Sequence, residues 1–180
     1  MPERSGRNFP QIMNKFFTAA AAALMTIGAA IPAQAGSLQD SLTLMELVKE
    51  TGTEVSVNSN TFDDSCTGKA GYYLFEKDVQ DLMVVCKDQV NIKNADELWE
   101  TVAHESVHVA QACNGGTYFQ AKYHPRMLRE LRSLAPHYAE QVTNQYRGDH
   151  QLLELEAFWA ELQTPETVIS MVESACYPEG

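Results

Sequence analysis

The sequence predicts an α+β domain that is mainly helical, with a small antiparallel sheet and disulfide bonds that staple the fold. Apolar residues recur at helical spacing through most of the second half of the chain. Two short runs rich in aromatic and β-branched residues flank a polar turn, which is typical of a β-hairpin. Four cysteines follow a segment with the features of an export signal, and cysteines of exported proteins are usually paired.

Residues 1–35 are predicted to lie outside this domain. A basic start, an apolar run over residues 16–31 and small side chains at Ala33 and Ala35 are typical of a secretory signal peptide cleaved after Ala35. The alternative is a retained membrane anchor, but the apolar run is short for a bilayer span. We therefore expect one domain over residues 36–180, secreted or periplasmic and not embedded in a membrane.

Net charge limits the partners of the domain. The predicted signal segment carries three basic residues and one acidic residue, so the charge of −11 for the whole chain becomes −13 without it. Nucleic acids and anionic membrane surfaces would repel such a protein. We expect no nucleic-acid partner, and the oligomeric state is left open.

Cys66, Cys86, Cys113 and Cys176 are all retained after cleavage. Four cysteines allow three pairings, and spacing does not choose among them outright. The preferred pairing is Cys66 with Cys86, which flank the hairpin, and Cys113 with Cys176, which would tie two helices together.

In the first half of the domain, apolar residues at helical spacing predict a helix over residues 38–51. Residues 54–58 alternate weakly and are predicted as a short strand. Residues 71–75 and 82–86 are predicted as the two strands of the hairpin, with residues 76–81 as its long turn.

The second half is predicted to be helical throughout. Asn94 or Asp96 is the expected N-cap of a helix that runs to about Cys113, where residues 114–116, Asn-Gly-Gly, end it. Proline and glycine divide the remainder into four further helices. These helices begin near Pro125, Tyr138, His150 and Pro165 and end near Leu134, Tyr146, Gln163 and Cys176.

Residues 104–108 read His-Glu-Ser-Val-His and carry the chemistry. His104 and His108 lie one turn apart on the same face of a helix, so both imidazoles can bind one zinc ion. Glu105 stands beside the first ligand, where it can take a proton from a zinc-bound water. A plainer alternative is that these residues are the solvated face of an amphipathic helix. Against it, the motif lies inside a capped helix that offers apolar packing positions, which is the helical context that the zinc-binding motif needs.

A catalytic zinc needs a third protein ligand and one open position. The residues that follow His108 offer no histidine at close spacing, which disfavours a three-histidine site. The remaining source is a glutamate from a later helix, and residues 154–160 offer Glu154 and Glu156.

This arrangement, an HExxH helix followed by a helix with Glu-x-x-Ala, resembles the gluzincin type of zinc metallopeptidase. The resemblance implies a zincin-like fold in which that glutamate is the third ligand. Matching Ala157 to the alanine of the pattern puts the ligand at Glu154, with Glu156 as the second candidate. The same families place Asp or Asn four residues after the glutamate to support a histidine ligand, whereas this chain has Phe158.

Peptidases of this kind commonly add a Tyr or His that hydrogen-bonds the developing oxyanion. His150 lies one helical turn before Glu154 and is the first candidate for this catalytic role. His137, Tyr138 and Tyr146 are the other candidates.

The strand over residues 82–86 precedes the motif helix and resembles the edge strand on which zincins lay an extended substrate. Pairing of this kind uses backbone hydrogen bonds and is weakly sequence-selective. The simpler interpretation, that its side chains pack in the sheet, is compatible with the first.

The sequence thus predicts an exported zinc metallopeptidase that hydrolyses peptide bonds through a zinc-activated water. Its cofactor would be Zn²⁺, its substrate a peptide or protein, with His104, His108 and Glu154 as ligands and Glu105 as the base. Two alternatives stay open: a protein in which zinc is only a structural staple, and a disulfide-stapled binding module without metal.

Overall fold

Six α-helices and three β-strands make up the described part of the computed structural model, which comprises residues 36–58, 64–76 and 80–177. The predicted signal peptide lies outside the described residues. In chain order the elements are α1 (Leu38–Glu50), β1 (Glu54–Asn58), β2 (Gly71–Glu76), β3 (Gln80–Cys86), α2 (Ala95–Asn114), α3 (His124–Leu134), α4 (Pro136–Gln145), α5 (Gly148–Ala160) and α6 (Pro165–Cys176). Within these residues, no helix is both long and apolar enough to cross a bilayer.

The predicted α+β class is confirmed, and the element boundaries differ mainly in β3, α4 and α5. Strand β3 begins at Gln80, inside the predicted turn of residues 76–81. Helix α4 begins at Pro136, two residues before the predicted start, because a proline ring fits the first turn of a helix. Helix α5 begins at Gly148 and ends at Ala160, and residues 161–163 form a turn instead of continuing the helix.

The sheet has the strand order β1–β3–β2, so β3 is its central strand. The predicted hairpin is present, with β2 antiparallel to β3, but β1 runs parallel to β3 and the sheet is mixed. The expectation that residues 82–86 form an edge strand is therefore wrong: both of their backbone edges are already paired. The edge strands are β1 and β2.

Helix α2 lies at the centre of the fold, in contact with α1, α5, α6 and the sheet. The Asn94 side chain accepts a hydrogen bond from the backbone N–H of Asp96 at 3.1 Å and caps its N-terminus. Gly115 ends it in the left-handed region at φ 74°, a conformation that glycine adopts without strain. Trp99 and Val107 are fully buried on the faces that meet its neighbours.

Both disulfide bonds pair as preferred, Cys66 with Cys86 and Cys113 with Cys176. The first joins the segment before β2 to the end of β3, and the second joins the last turn of α2 to that of α6. In the chain-entropy account, closing these loops destabilises the unfolded chain by about 3 and about 4 kcal/mol. The disulfides thus hold two neighbours of α2 in place.

A second apolar cluster joins α3, α4 and α5 through Met127, Leu131, Val142, Leu155 and Phe158. This cluster seats α4 beside α5. One side of α4 consequently faces the same cavity as the motif helix α2.

Candidate metal centre

Three side chains converge between α2 and α5: His104, His108 and Glu154. One donor atom from each lies within 4.8 Å of the other two. His104 Nε2 is 3.4 Å from one Glu154 carboxylate oxygen, and His108 Nε2 is 3.8 Å from the other. The two histidines share a helix face because they are four residues apart, and α5 packs across that face.

The second ring nitrogen of each histidine has a partner of its own. His104 Nδ1 lies 2.7 Å from Glu161 Oε1, and His108 Nδ1 lies 2.8 Å from Gln111 Oε1. Each acceptor fixes a proton on Nδ1, so Nε2 is the nitrogen that would bind a metal once it carries no proton. Two imidazole nitrogens and one carboxylate oxygen form a donor set that suits zinc, so these residues fit the predicted ion.

In the families that the sequence resembles, an acid four residues after the third ligand supports a histidine ligand. In this chain, Glu161 makes the corresponding contact. It is the C-cap residue of α5, seven residues after Glu154 and on the same helix face. Phe158, at the expected position, instead packs edge-on against the His104 ring, with 4.7 Å between ring centroids. The histidine is thus supported by a carboxylate from one turn further along the helix.

Glu156, the second candidate for the third ligand, lies outside the cluster. It is fully buried and accepts four hydrogen bonds. The donors, at 2.8–2.9 Å, are Gln111 Nε2, the backbone N–H groups of Tyr118 and Phe119, and His124 Nε2. Two residues along a helix correspond to about 200° of rotation, which explains why Glu154 and Glu156 face different environments.

Glu105 is 6% exposed, lines the cavity, and makes no hydrogen bond to any described residue. Burial raises the pKa of its carboxyl group to about 7. Strand β2 approaches this side chain closely at Gly71, where an added Cβ would lie 3.0 Å from Glu105 Cγ and 2.8 Å from Val84 O. A glycine is needed there for the strand to reach the helix.

The three candidate ligands interact strongly with one another. Burial alone would lower the pKa of His104, but hydrogen bonds to Glu154 and Glu161 raise it well above its usual value. Burial and the charge of His104 lower the pKa of His108 to about 4. Burial would raise the pKa of Glu154, and its contacts with both histidines lower it. The carboxylate of Glu154 is therefore charged and available as a ligand.

The centre opens into a cavity of about 620 Å³, lined by residues 68–73, α2, α4 and α5. Two tyrosines of the α4 region line it, Tyr138 and Tyr146. Burial and the neighbouring carboxylates, Glu161 and Glu100 at Tyr138 and Glu154 at Tyr146, raise the pKa of both phenols. Both hydroxyls therefore stay protonated and can each donate a hydrogen bond.

The predicted oxyanion candidates fall into two groups. Tyr138 and Tyr146 line the cavity, whereas His137 and His150 are exposed and do not. His137 packs on the Tyr138 ring with centroids 4.1 Å apart, and His150 influences His108 only through its charge. The structure thus does not bring His150, the first candidate, into the cavity.

A family model for a domain of unknown function, DUF8637, matches residues 38–177. The chain belongs to this family. No curated protein matches the sequence, and no solved structure matches the fold. The DUF8637 match spans α1 to α6, so the centre lies wholly inside the family domain.

The sequence analysis did not identify three residues of this site: Gln111, Glu161 and Glu100. Gln111 lies three residues after His108, and Glu161 lies seven residues after Glu154, so helical periodicity could have found both. Glu100 lies four residues before His104 on the same face. The signal that could have identified these residues is a polar side chain at helical spacing from a motif position.

Proposed function

We propose that this protein is an exported zinc metallopeptidase that hydrolyses peptide bonds. The carrying observation is the convergence of His104, His108 and Glu154 beside a buried acid, Glu105, that has no hydrogen-bond partner among the described residues. Zinc-dependent hydrolases need such a pair: a metal centre and a base that is not itself a ligand.

The number of ligands favours catalysis over a structural role. A structural zinc is closed by four protein ligands, whereas a catalytic one keeps a position for water or substrate. Among the described residues, the cluster of possible ligands consists of His104, His108 and Glu154 alone. Glu156, which could have closed the site, is engaged by four other donors.

When bound, zinc would supply the Lewis acidity that makes water nucleophilic near neutral pH. Glu105 takes the proton of the attacking water and later delivers it to the amine that leaves. Glu105 can make both transfers because it is a buried acid that lines the cavity beside the centre and is not itself one of the three candidate ligands. Tyr146 lines the same cavity and stays protonated, so it can donate a hydrogen bond to the oxygen that gains negative charge.

Strand β2 is the surface on which an extended substrate would lie. It is a sheet edge, and its residues 71–73 line the cavity beside Glu105. Leu74 and Phe75 continue the strand beyond the cavity with exposed apolar side chains. Backbone pairing along β2 would align the peptide with the centre and leave selectivity to the side-chain pockets.

The predicted signal peptide and the two disulfide bonds support a location outside the cytoplasm. Mass spectrometry of the mature protein, isolated from the periplasm or medium, should give Gly36 as its first residue. A retained segment before Gly36, or accumulation inside the cell with reduced cysteines, would contradict the export part of the proposal.

The decisive experiment compares Glu105→Gln with Glu46→Gln, a matched change on the remote helix α1. Both oxidised variants should retain one zinc per chain by elemental analysis. Glu105→Gln should lose peptide hydrolysis by at least about 100-fold, because the base is removed while its shape is kept. Glu46→Gln should match the natural protein.

Three outcomes count against the proposal. Full hydrolysis by the metal-free protein would exclude a zinc enzyme. Stoichiometric zinc without any hydrolysis, together with loss of stability on zinc removal, would indicate the structural alternative. Absence of zinc after dialysis against zinc-containing buffer would indicate a binding module held together by its disulfide bonds.

A further inference from the structure

Glu100 lies on α2 one helical turn before His104 and lines the same cavity. Four residues of helix span about 6 Å, which is close to the length of two residues of extended peptide. A peptide whose reacting carbonyl stands at the metal centre would therefore present a neighbouring side chain to Glu100.

The lining of the cavity is rich in acidic residues: Glu100, Glu105, Glu154 and Glu161 all belong to it. Glu100 is the exposed member of this group. Partial burial raises the pKa of Glu100, and so do the charges of Glu161 and Asp96, while the charge of His137 opposes the shift.

Among the described residues that line the cavity, Lys69 is the one lysine or arginine. Its ammonium group lies over the Tyr72 ring, 5.7 Å from the centroid, and its charge acts on Glu105. The described lining therefore places no lysine or arginine against Glu100, while the buried Glu105 carboxyl group independently marks the cavity as a place that receives a polar ligand.

We infer that Glu100 binds a lysine or arginine side chain of the substrate, so that the enzyme selects peptides with a cationic residue at one fixed position beside the cleaved bond. This inference rests on the proposed peptidase function, because that function supplies the register between peptide and cavity. Glu161, which lines the same cavity, adds negative potential that favours a cation over a neutral side chain.

The test uses short alanine–serine peptides in which a single lysine, norleucine or glutamate is moved through each position. The zinc-loaded protein should cleave lysine peptides with a kcat/KM about five- to tenfold above their norleucine counterparts, at one fixed distance from the cleaved bond. Glu100→Gln should reduce this ratio to near one, and Glu100→Lys should favour glutamate peptides instead. Glu46→Lys makes the same charge change on α1 and should keep the lysine preference.

A second measurement separates this inference from the proposed function. Zinc-loaded Glu105→Gln protein, which lacks the base, is titrated with the same peptides and their binding is measured by calorimetry. Tighter binding of lysine peptides, lost when Glu100→Gln is added, supports the inference even if no peptide is hydrolysed. Equal binding of lysine and norleucine peptides, or a lysine preference that survives Glu100→Lys, overturns it and leaves peptidase activity to be judged by hydrolysis alone.

Discussion

The two histidines of the centre are held in different ways. His104 hydrogen-bonds a carboxylate, Glu161, which lines the open cavity together with Tyr138 and Glu100. His108 hydrogen-bonds a neutral amide, Gln111, which is anchored in turn to the buried Glu156. The direct partner of His104 is thus a charged group that lines the cavity, which we call the charged side. The direct partner of His108 is a neutral amide that belongs to the core, which we call the neutral side.

The two kinds of partner have different effects on a histidine that binds a metal. A carboxylate behind an imidazole makes the ring a stronger donor to a metal, whereas an amide fixes the ring without changing its charge. Gln111 also donates to the backbone carbonyl of Leu153, so the amide ties α2 to α5 next to the ligand Glu154. The His104 side should therefore control metal affinity, and the His108 side should control both affinity and stability.

The largest effect is expected at Glu156, which anchors the neutral side. Glu156→Gln replaces an acceptor oxygen by a donor group against four buried donors, and should lower the free energy of unfolding of the metal-free protein by about 3 kcal/mol. Glu154→Gln, two residues away, is the matched control and should lower that stability clearly less, because its side chain lines the open cavity. Urea denaturation of the two variants measures the difference, and equal losses would mean that Glu156 is not the anchor.

Glu161→Gln tests the charged side of the centre. The amide can still accept the proton of His104 Nδ1, but the negative charge is lost, so zinc affinity should fall by about 10- to 100-fold. Competition with a chromogenic chelator measures the dissociation constant. The stability of the metal-free protein should change little, and a large loss of stability at unchanged zinc affinity would reverse the assignment of the two sides.

Gln111→Met is the corresponding test of the neutral side. The His108 ring loses its acceptor, and Leu153 O and Glu156 lose a donor. Zinc affinity should fall by about tenfold, and the free energy of unfolding of the metal-free protein by about 1 to 2 kcal/mol. If only one of the two quantities changes, the amide does not couple the ligand to the core.

The smallest effect is expected for Tyr138→Phe. This change removes the hydroxyl whose nearest charged neighbours include Glu161 and Glu100 but keeps the ring, which stacks on Phe158 at a centroid distance of 4.8 Å. Loss of one polar interaction of about 1 kcal/mol corresponds to a weakening of zinc affinity by about fivefold. No change in zinc affinity would show that groups beyond Glu161 on the charged side do not affect zinc binding.

Local rules were sufficient for the elements and for two of the three candidate ligands. The helical spacing of His104 and His108, the cap at Asn94 and the glycine at position 115 are all properties of neighbouring residues. The disulfide preference also proved right, because the first pair flanks a hairpin that local sequence predicts. These features need no knowledge of how distant segments meet.

Features that depend on distant segments were harder to obtain. The central position of β3 was missed because β1 pairs with it across a long connection, and strand order is a property of the whole sheet. Glu154 and Glu156 stayed alternatives because a helix pattern does not say which face α2 will meet. His150 was the first oxyanion candidate on helical spacing from Glu154, yet it is exposed, while Tyr146, at the end of α4, lines the cavity.

The sequence by itself determined the α+β class, the motif helix with His104, Glu105 and His108, and the positions at which helices begin and end, since each depends on contacts a few residues apart. Only the tertiary structure decided that Glu154 faces the histidines, that Glu161 and Gln111 support them, and that β2 borders the cavity. The physical reason is that packing of α4 and α5 against α2 fixes which side of each element meets the centre, and this packing is the joint outcome of the entire core.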